Sequence, residues 1–285
     1  LEQKSHAQKL ENLKALTLSF LLFTYTISAQ FISGKIIDAF SDEPLPYVNI
    51  GIVNKNIGTV SDRNGDFFLE VPTDLGKDTL RFSMVGFSKK DFILKDYLAQ
   101  QKSENTLRLE EKITALEGVT VVRKKSDKYK RKVLGNKSRS KTIVGGFTSN
   151  DLGNEIGIIT RIRKSPTYLQ EFNMFIAKNT YGSVLFRLNF YSLKGGIPHE
   201  NILEEMIVIE TDIESGLVSV DLRPYDIVME NDFLVAIEWI EDLGIGDLFF
   251  SAGFLGSSLY ARATSQGEWT KMGVSTVGMN VEVLY

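Results

Sequence analysis

Alternation with a period of two, in short bursts broken by turn residues, is the feature that most limits what this chain can fold into. Phe31, Ser33, Lys35 and Ile37 interleave with Ile32, Gly34 and Ile36. Pro44-Leu45-Pro46 interrupts the pattern before residues 47–53, and residues 68–71 and 79–85 resume it, the last ended by Gly86. Successive side chains of a strand point to opposite faces, so each burst is a strand with one face to bury. Strands spaced roughly ten residues apart, with turn chemistry between them, predict an antiparallel sandwich.

The second half of the chain carries the same signal more cleanly. Val184, Phe186, Leu188 and Phe190 fall on one face of residues 183–191. Phe233, Val235, Ile237 and Trp239 fall on one face of residues 232–240. Seven further candidate strands cover residues 155–163, 170–177, 206–211, 217–222, 247–253, 258–263 and 278–284. Such alternation predicts one buried and one wetter face, as in a jelly-roll-like sandwich. A helical turn is hinted only at residues 201–205. The expected class is therefore all-β, with two β-sandwiches.

The 285 residues contain no cysteine. That excludes disulfide staples, thiol catalysis and thiolate metal sites, leaving apolar burial to hold the chain together. Lys9 and Lys14 precede a mostly apolar run from Ala15 to Ile27, followed by Ser28-Ala29-Gln30. A basic start, an apolar stretch too short to span a bilayer and a small residue before a polar one predict a signal peptide over residues 1–29. The protein is then exported, to the periplasm or the outer membrane.

From Arg123 to Lys141 ten basic residues face one acid, Asp127, whereas residues 142–285 hold nine basic and nineteen acidic residues. The expected organisation is a leader at 1–29, a sandwich at 30–122, a basic linker at 123–141 and a second sandwich at 142–285. Dense like charge predicts an extended connector, with an anionic surface as its alternative partner. Nucleic acid is not expected, because Tyr129 is the lone aromatic there.

Several elements of the first sandwich resemble a known family. They are residues 32–38, 43–49, 58–62, 64–67 and 82–87, then Leu107-Arg-Leu109 and residues 116–122. Together they are similar to the carboxypeptidase regulatory-like domain, a transthyretin-like sandwich found at the N-terminus of TonB-dependent outer-membrane receptors. The resemblance implies a folding or docking accessory without catalytic residues of its own. It does not extend to receptor function, because about 145 residues remain where a barrel of some 22 strands needs several times that. The second half is loosely similar to galactose-binding-like sandwiches in pattern alone.

Candidate chemistry is sparse. Asp62, Asn64 and Asp66 have the spacing of half a calcium loop, but Thr73 stands where the closing Glu belongs, so a hairpin turn explains them. His199 is the sole histidine after the leader and is read as a loop residue; no H-E-x-x-H or G-x-S-x-G occurs. Glu238, Glu241, Asp242 and Asp247 read as exposed acidic loops, with a glycosidase pair as the alternative. Trp239 is expected in the core. Trp269, among polar residues in 265–271, and Tyr260 are the candidate binding rings for a sugar or partner. No catalytic residue, metal or cofactor is expected. The expected function is a non-enzymatic binding or accessory module at the cell envelope, in surface assembly or nutrient capture. Its partner is an envelope protein or glycan, with the oligomeric state left open. The alternative is a carbohydrate-active hydrolase using paired carboxylates of the second sandwich.

Overall fold

The computed structural model describes residues 29–100, 105–112, 129–149, 151–254, 256–273 and 275–285. The leader at 1–29, apart from Ala29, lies outside the described residues, as do the strand expected at 116–122 and the start of the connector at 123–128.

The protein is all-β, built from two sandwiches. The first comprises β1 (Ala29–Asp38), β2 (Asn49–Ile52), β3 (Gly58–Val60), β4 (Asp66–Pro72), β5 (Thr79–Ser83), β6 (Lys90–Ile93) and β7 (Thr106–Leu109), with a short helix, α1 (Leu94–Gln100), before β7. One sheet runs β4-β1-β7, with β1 and β7 parallel; the other runs β3-β2-β5-β6. Alternation sets the packing: in β4, Phe67, Leu69 and Val71 are buried while Asp66, Phe68 and Glu70 are exposed. They join Ile32, Ile36, Ile50, Ile52, Leu80 and Phe82 in one core. α1, which the alternation gave no sign of, buries Leu94 and Tyr97, and the Tyr97 ring lies 5.6 Å from that of Phe82. The Asp62–Asp66 segment is a turn: Asp62 Oδ1 accepts from the backbone N–H of Asn64 and Asp66, each at 2.8 Å, and Gly65 has φ +77°.

The second sandwich comprises β8 (Arg131–Gly135), β9 (Val144–Gly145), β10 (Glu155–Thr160), β11 (Thr167–Asn179), β12 (Val184–Lys194), β13 (Ile197–Asn201), β14 (Ile207–Thr211), β15 (Gly216–Asp221), β16 (Val228–Met229), β17 (Phe233–Trp239), β18 (Leu248–Phe254), β19 (Leu259–Arg262), β20 (Thr270–Lys271), β21 (Ser275–Val277) and β22 (Met279–Leu284). One sheet runs β13-β12-β17-β10-β19-β20 and the other β21-β18-β11-β22-β8. Between them lies the main core, where Phe186, Leu188 and Phe190 of β12 meet Val235 and Ile237 of β17.

Three expectations are corrected. The linker at 123–141 does not run as a free tether: residues 131–135 form β8, which pairs with β22 from Leu284↔Arg131 to Asn280↔Gly135. Val133 and Leu134 give that stretch a strand's alternation, and Leu134 is buried in the core, so packing outweighs the repulsion of the flanking charges. Residues 201–205 form no helical turn; they continue from β13 through bends. Finally, β12 and β17 have no wet face: β17 is buried at every residue and β12 over its first eight.

Candidate binding site at the domain seam

The outward side chains of β12, β17, β10 and β19 make a polar layer on the face opposite the main core. Arg187 and Glu238 pair across β12 and β17, and Glu155 and Glu238 across β10 and β17. The Arg187 guanidinium forks onto Glu238, with Nε to Oε2 and Nη2 to Oε1 both at 2.8 Å. Asn189 Nδ2 donates to Glu238 Oε2 at 2.9 Å and to Glu155 Oε1 at 3.2 Å. Glu155 Oε1 also accepts from Tyr191 Oη and Arg262 Nη2, each at 2.9 Å. Arg187, Glu238 and Glu155 are all shielded from solvent.

The first sandwich closes over the Arg187 end of this layer. Arg187 Nη1 donates to the carbonyl of Tyr47 at 2.7 Å and its Nη2 to Asn49 Oδ1 at 2.5 Å. Beside this ionic seam, Tyr47 and Val60 of the first sandwich pack with Leu185 and Ile240 of the second. The turn after β19 docks on the β2–β3 hairpin: the Asn54 N–H donates to the Gln266 carbonyl at 2.9 Å, and Gln266 Nε2 to Ser83 Oγ at 2.9 Å. The approach is close: a Cβ on Gly267 would lie 2.7 Å from Asn56 Oδ1, an exposed side chain that would have to turn aside, and 3.4 Å from the Lys55 carbonyl.

Charge and burial oppose each other here. Burial pushes the Glu155 carboxyl up, Arg262 pulls it down and Glu238 pushes it up again, leaving it at about 7. Burial also acts against ionised Glu238, but Arg187 outweighs it and holds that carboxyl below its ordinary range. Two neighbouring acids driven apart is a pattern used in acid–base catalysis. In this case both oxygens of Glu238 are taken by Arg187, and both acids are shielded from solvent.

Next to this layer the two sandwiches part into a cleft of about 820 Å³. The first sandwich supplies Ser83, Met84, Phe87, Lys89 and Lys112. The second supplies His199 and Asn201 of β13 together with Tyr191, Arg262 and Trp269. The Arg262 guanidinium sits 4.4 Å from the Trp269 ring centre, and Tyr191 meets that ring edge-on at 5.4 Å.

The residues singled out from sequence are placed as follows. Trp269 is half-buried and lines the cleft. Tyr260 is not an exposed ring: it is buried with Tyr191, Leu234 and Ala236, and its hydroxyl donates to the Gly196 carbonyl at 3.2 Å. β19 pairs with β10, which turns Tyr260 onto the face of Ala236. Glu238 is not part of an acidic loop but the buried partner of Arg187. His199 lies on β13 rather than in a loop, 3.8 Å from Glu200. Among the described residues no group of three acid or histidine side chains is placed to hold a metal. The sequence does not single out Arg187, Glu155 and Arg262: Arg187 alternates with apolar residues as a solvent-facing side chain does, and nothing sets Glu155 and Arg262 apart from exposed charges.

The fold and this site define a two-sandwich β protein with an interdomain cleft. Residues 32–121 match the CarboxypepD_reg-like domain family, so the first sandwich is a carboxypeptidase regulatory-like domain. No curated protein matches the chain. Among solved structures, the chain is similar to the cysteine protease and lectin-like domains of Cwp84, a surface layer associated protein of Clostridium difficile. That likeness has 8% identity and a TM-score of 0.35 over 46% of this chain and 32% of that one, so this chain matches about a third of its length.

Proposed function

We propose that this protein is an exported, non-enzymatic binding module of the cell envelope whose ligand, a glycan or an envelope protein, enters the cleft between the sandwiches. The cleft itself carries the reading: an opening of about 820 Å³, walled by both domains and carrying a half-buried tryptophan beside an arginine. Ligand sites favour domain interfaces and typically span about 300–1,000 Å³. The accessory character of regulatory-like domains supports the same assignment for the first wall, and the sealing of Glu155 and Glu238 argues against the hydrolase alternative. The apolar leader fits a place outside the cytosol, and the basic residues around β8 suit an anionic surface nearby.

The lack of cysteine offers a clean test. His199→Cys puts one thiol on the cleft wall, and a bulky maleimide then blocks the opening. Capture from a membrane-envelope extract should persist with the unlabelled variant and fail with the labelled one. Equal capture by both would move the binding surface elsewhere.

A further inference from the structure

The three-stranded sheet of the first sandwich ends on β4, which pairs with β1 on one side only. The Ile36 N–H donates to the Gly65 carbonyl at 2.8 Å, in the register that continues as Gly34↔Phe67 and Ile32↔Leu69. Residues 67, 69 and 71 therefore turn their backbone groups to β1, and Phe68 and Glu70 turn theirs to the open edge. Asp66 has the same parity, and its carbonyl accepts from the Asp62 N–H at 2.8 Å, on the side away from β1. Among the described residues nothing bonds the N–H or C=O of Phe68 or Glu70. Such an edge is a template for another strand.

That edge forms one wall of a groove of about 460 Å³ between the sandwiches, which shares no lining residue with the cleft. Phe68 and Glu70 line it from β4, and Asp151, Leu152 and Asp242 from the second sandwich; no lysine, arginine or histidine does. Glu70, Asp151 and Asp242 are exposed. Of the cations nearby, Lys35 is held by Asp66, Arg63 by Glu241 and Arg262 by Glu155, which leaves Lys55, beside Asn56, against three acids. On the outer face of the sheet, Phe68 is 60% exposed and stacks on the equally open Phe31 ring, with centres 5.3 Å apart.

We propose that this groove is a second binding site, which takes an extended basic segment of a partner protein as a further strand on β4. Main-chain hydrogen bonds to Phe68 and Glu70 hold the segment, and its alternate side chains carry the selection. An apolar one lies beside the Phe31–Phe68 pair, and a lysine or arginine meets Glu70, with Asp151 and Asp242 across the groove. The same acids disfavour a second copy of this chain. Two β4 edges paired about Phe68 would set Asp66 opposite Glu70, and like charges facing across a ladder are destabilising. Pro72 ends the usable edge, because it has no N–H to offer.

The test is fluorescence anisotropy of the full chain with fluorescein-labelled octapeptides that alternate lysine or arginine with valine, threonine or phenylalanine. At least one basic peptide should bind and slow amide hydrogen exchange in residues 66–72. Its glutamate counterpart and its fully N-methylated form should each bind about tenfold more weakly, the loss of one or two net hydrogen bonds or ion pairs. Phe68→Pro removes an outward N–H and leaves the β1 ladder whole, so it should weaken binding about tenfold with an unchanged circular dichroism spectrum. Glu70→Gln/Asp151→Asn changes two exposed side chains; it should keep the fold, weaken binding by about the same factor and flatten its salt dependence. If Phe68→Pro loses its fold, this second variant decides. Silence across the basic set, binding without slowed exchange in residues 66–72, or equal binding of the N-methylated form would overturn strand addition. Equal binding of the glutamate form, or unchanged affinity in the folded charge variant, would overturn the basic selection. Maleimide on His199→Cys should leave peptide binding unchanged; its loss would place the peptide in the cleft and overturn the second site.

Discussion

The two faces of the β12–β17 pair are equally dry, yet the inner one excludes water by apolar contact and the outer one sets paired charge among its apolar residues. On the inner face Phe186, Leu188, Phe190, Val235 and Ile237 meet the second sheet through apolar contact. On the outer face Arg187 and Glu238 meet the regulatory-like domain through a paired charge that also reaches Tyr47 and Asn49. The inner face gains stability from area removed from water, and it tolerates imperfect geometry. The outer face stakes far more on each bond, because a buried charge that loses its partner keeps its desolvation penalty. One face therefore builds a domain, and the other fixes where a second domain sits and so shapes the cleft.

The largest effect comes from breaking the outer pair one-sidedly. Glu238→Ala strands the Arg187 guanidinium and should cost about 3–5 kcal/mol in urea denaturation. Replacing both, Arg187→Met with Glu238→Leu, should recover most of that loss, because two apolar side chains can fill the same space. If the double variant is as unstable as the single one, the charges hold the seam by geometry that no apolar pair reproduces.

On the inner face the corresponding truncation is Leu188→Ala, expected to cost about 2–5 kcal/mol through a cavity. No second substitution at its register partner Ile237 restores it, since two truncations only enlarge the void. A recovery by Ile237→Ala would contradict the contrast between the faces.

That contrast also marks what the sequence could show. The strands were legible because each carries an apolar row of period two, as in Phe233, Val235, Ile237 and Trp239, and because turn residues bound them. The regulatory-like domain was legible from a set of short motifs. The role of the other row was not legible. Arg187, Asn189 and Tyr191 alternate with phenylalanine and leucine exactly as solvent-facing residues do, and only the docked domain turns that row into a buried layer. Tyr260 misled for the same reason: β10 and the neighbouring strands, all distant in sequence, decide which face it joins. β8 was hidden by the charge of its neighbours, with Val133 and Leu134 too short a signal against ten basic residues.

A smaller effect separates the two acids of the outer layer by pH. The Glu155 carboxyl is raised from 4.5 to about 7, first by burial and then by Glu238, against the pull of Arg262. The groups facing it are Arg262, Tyr191, Asn189 and Glu238, with Arg187 behind Glu238. Between those values the folded protein keeps a proton that the unfolded chain has released, so raising the pH favours unfolding. The contribution of Glu155 to stability should fall from about pH 4.5 to about pH 7 and then level off. Glu238, shifted the other way, loses its contribution only as pH falls through its lowered value. Comparing denaturation midpoints at about pH 5 and pH 8 for the parent and for Glu155→Gln isolates the first term. An unchanged pH slope in the variant would mean that Glu155 titrates alike folded and unfolded.

The smallest effect belongs to the rim of the same seam. Arg63 and Glu241 join the two domains at 3.0 Å, as Arg187 joins them within, but the Arg63 side chain is 62% exposed. Water solvates an exposed guanidinium almost as well as a carboxylate does, and salt screens what attraction remains. Arg63→Gln should therefore leave the denaturation midpoint unchanged within error at physiological salt. The two arginines share a charge, an acidic partner and a seam and differ in burial, so a resolved loss at Arg63 would show that the docked geometry depends on its rim, and that burial of the Arg187 pair is not what sets the position of the regulatory-like domain.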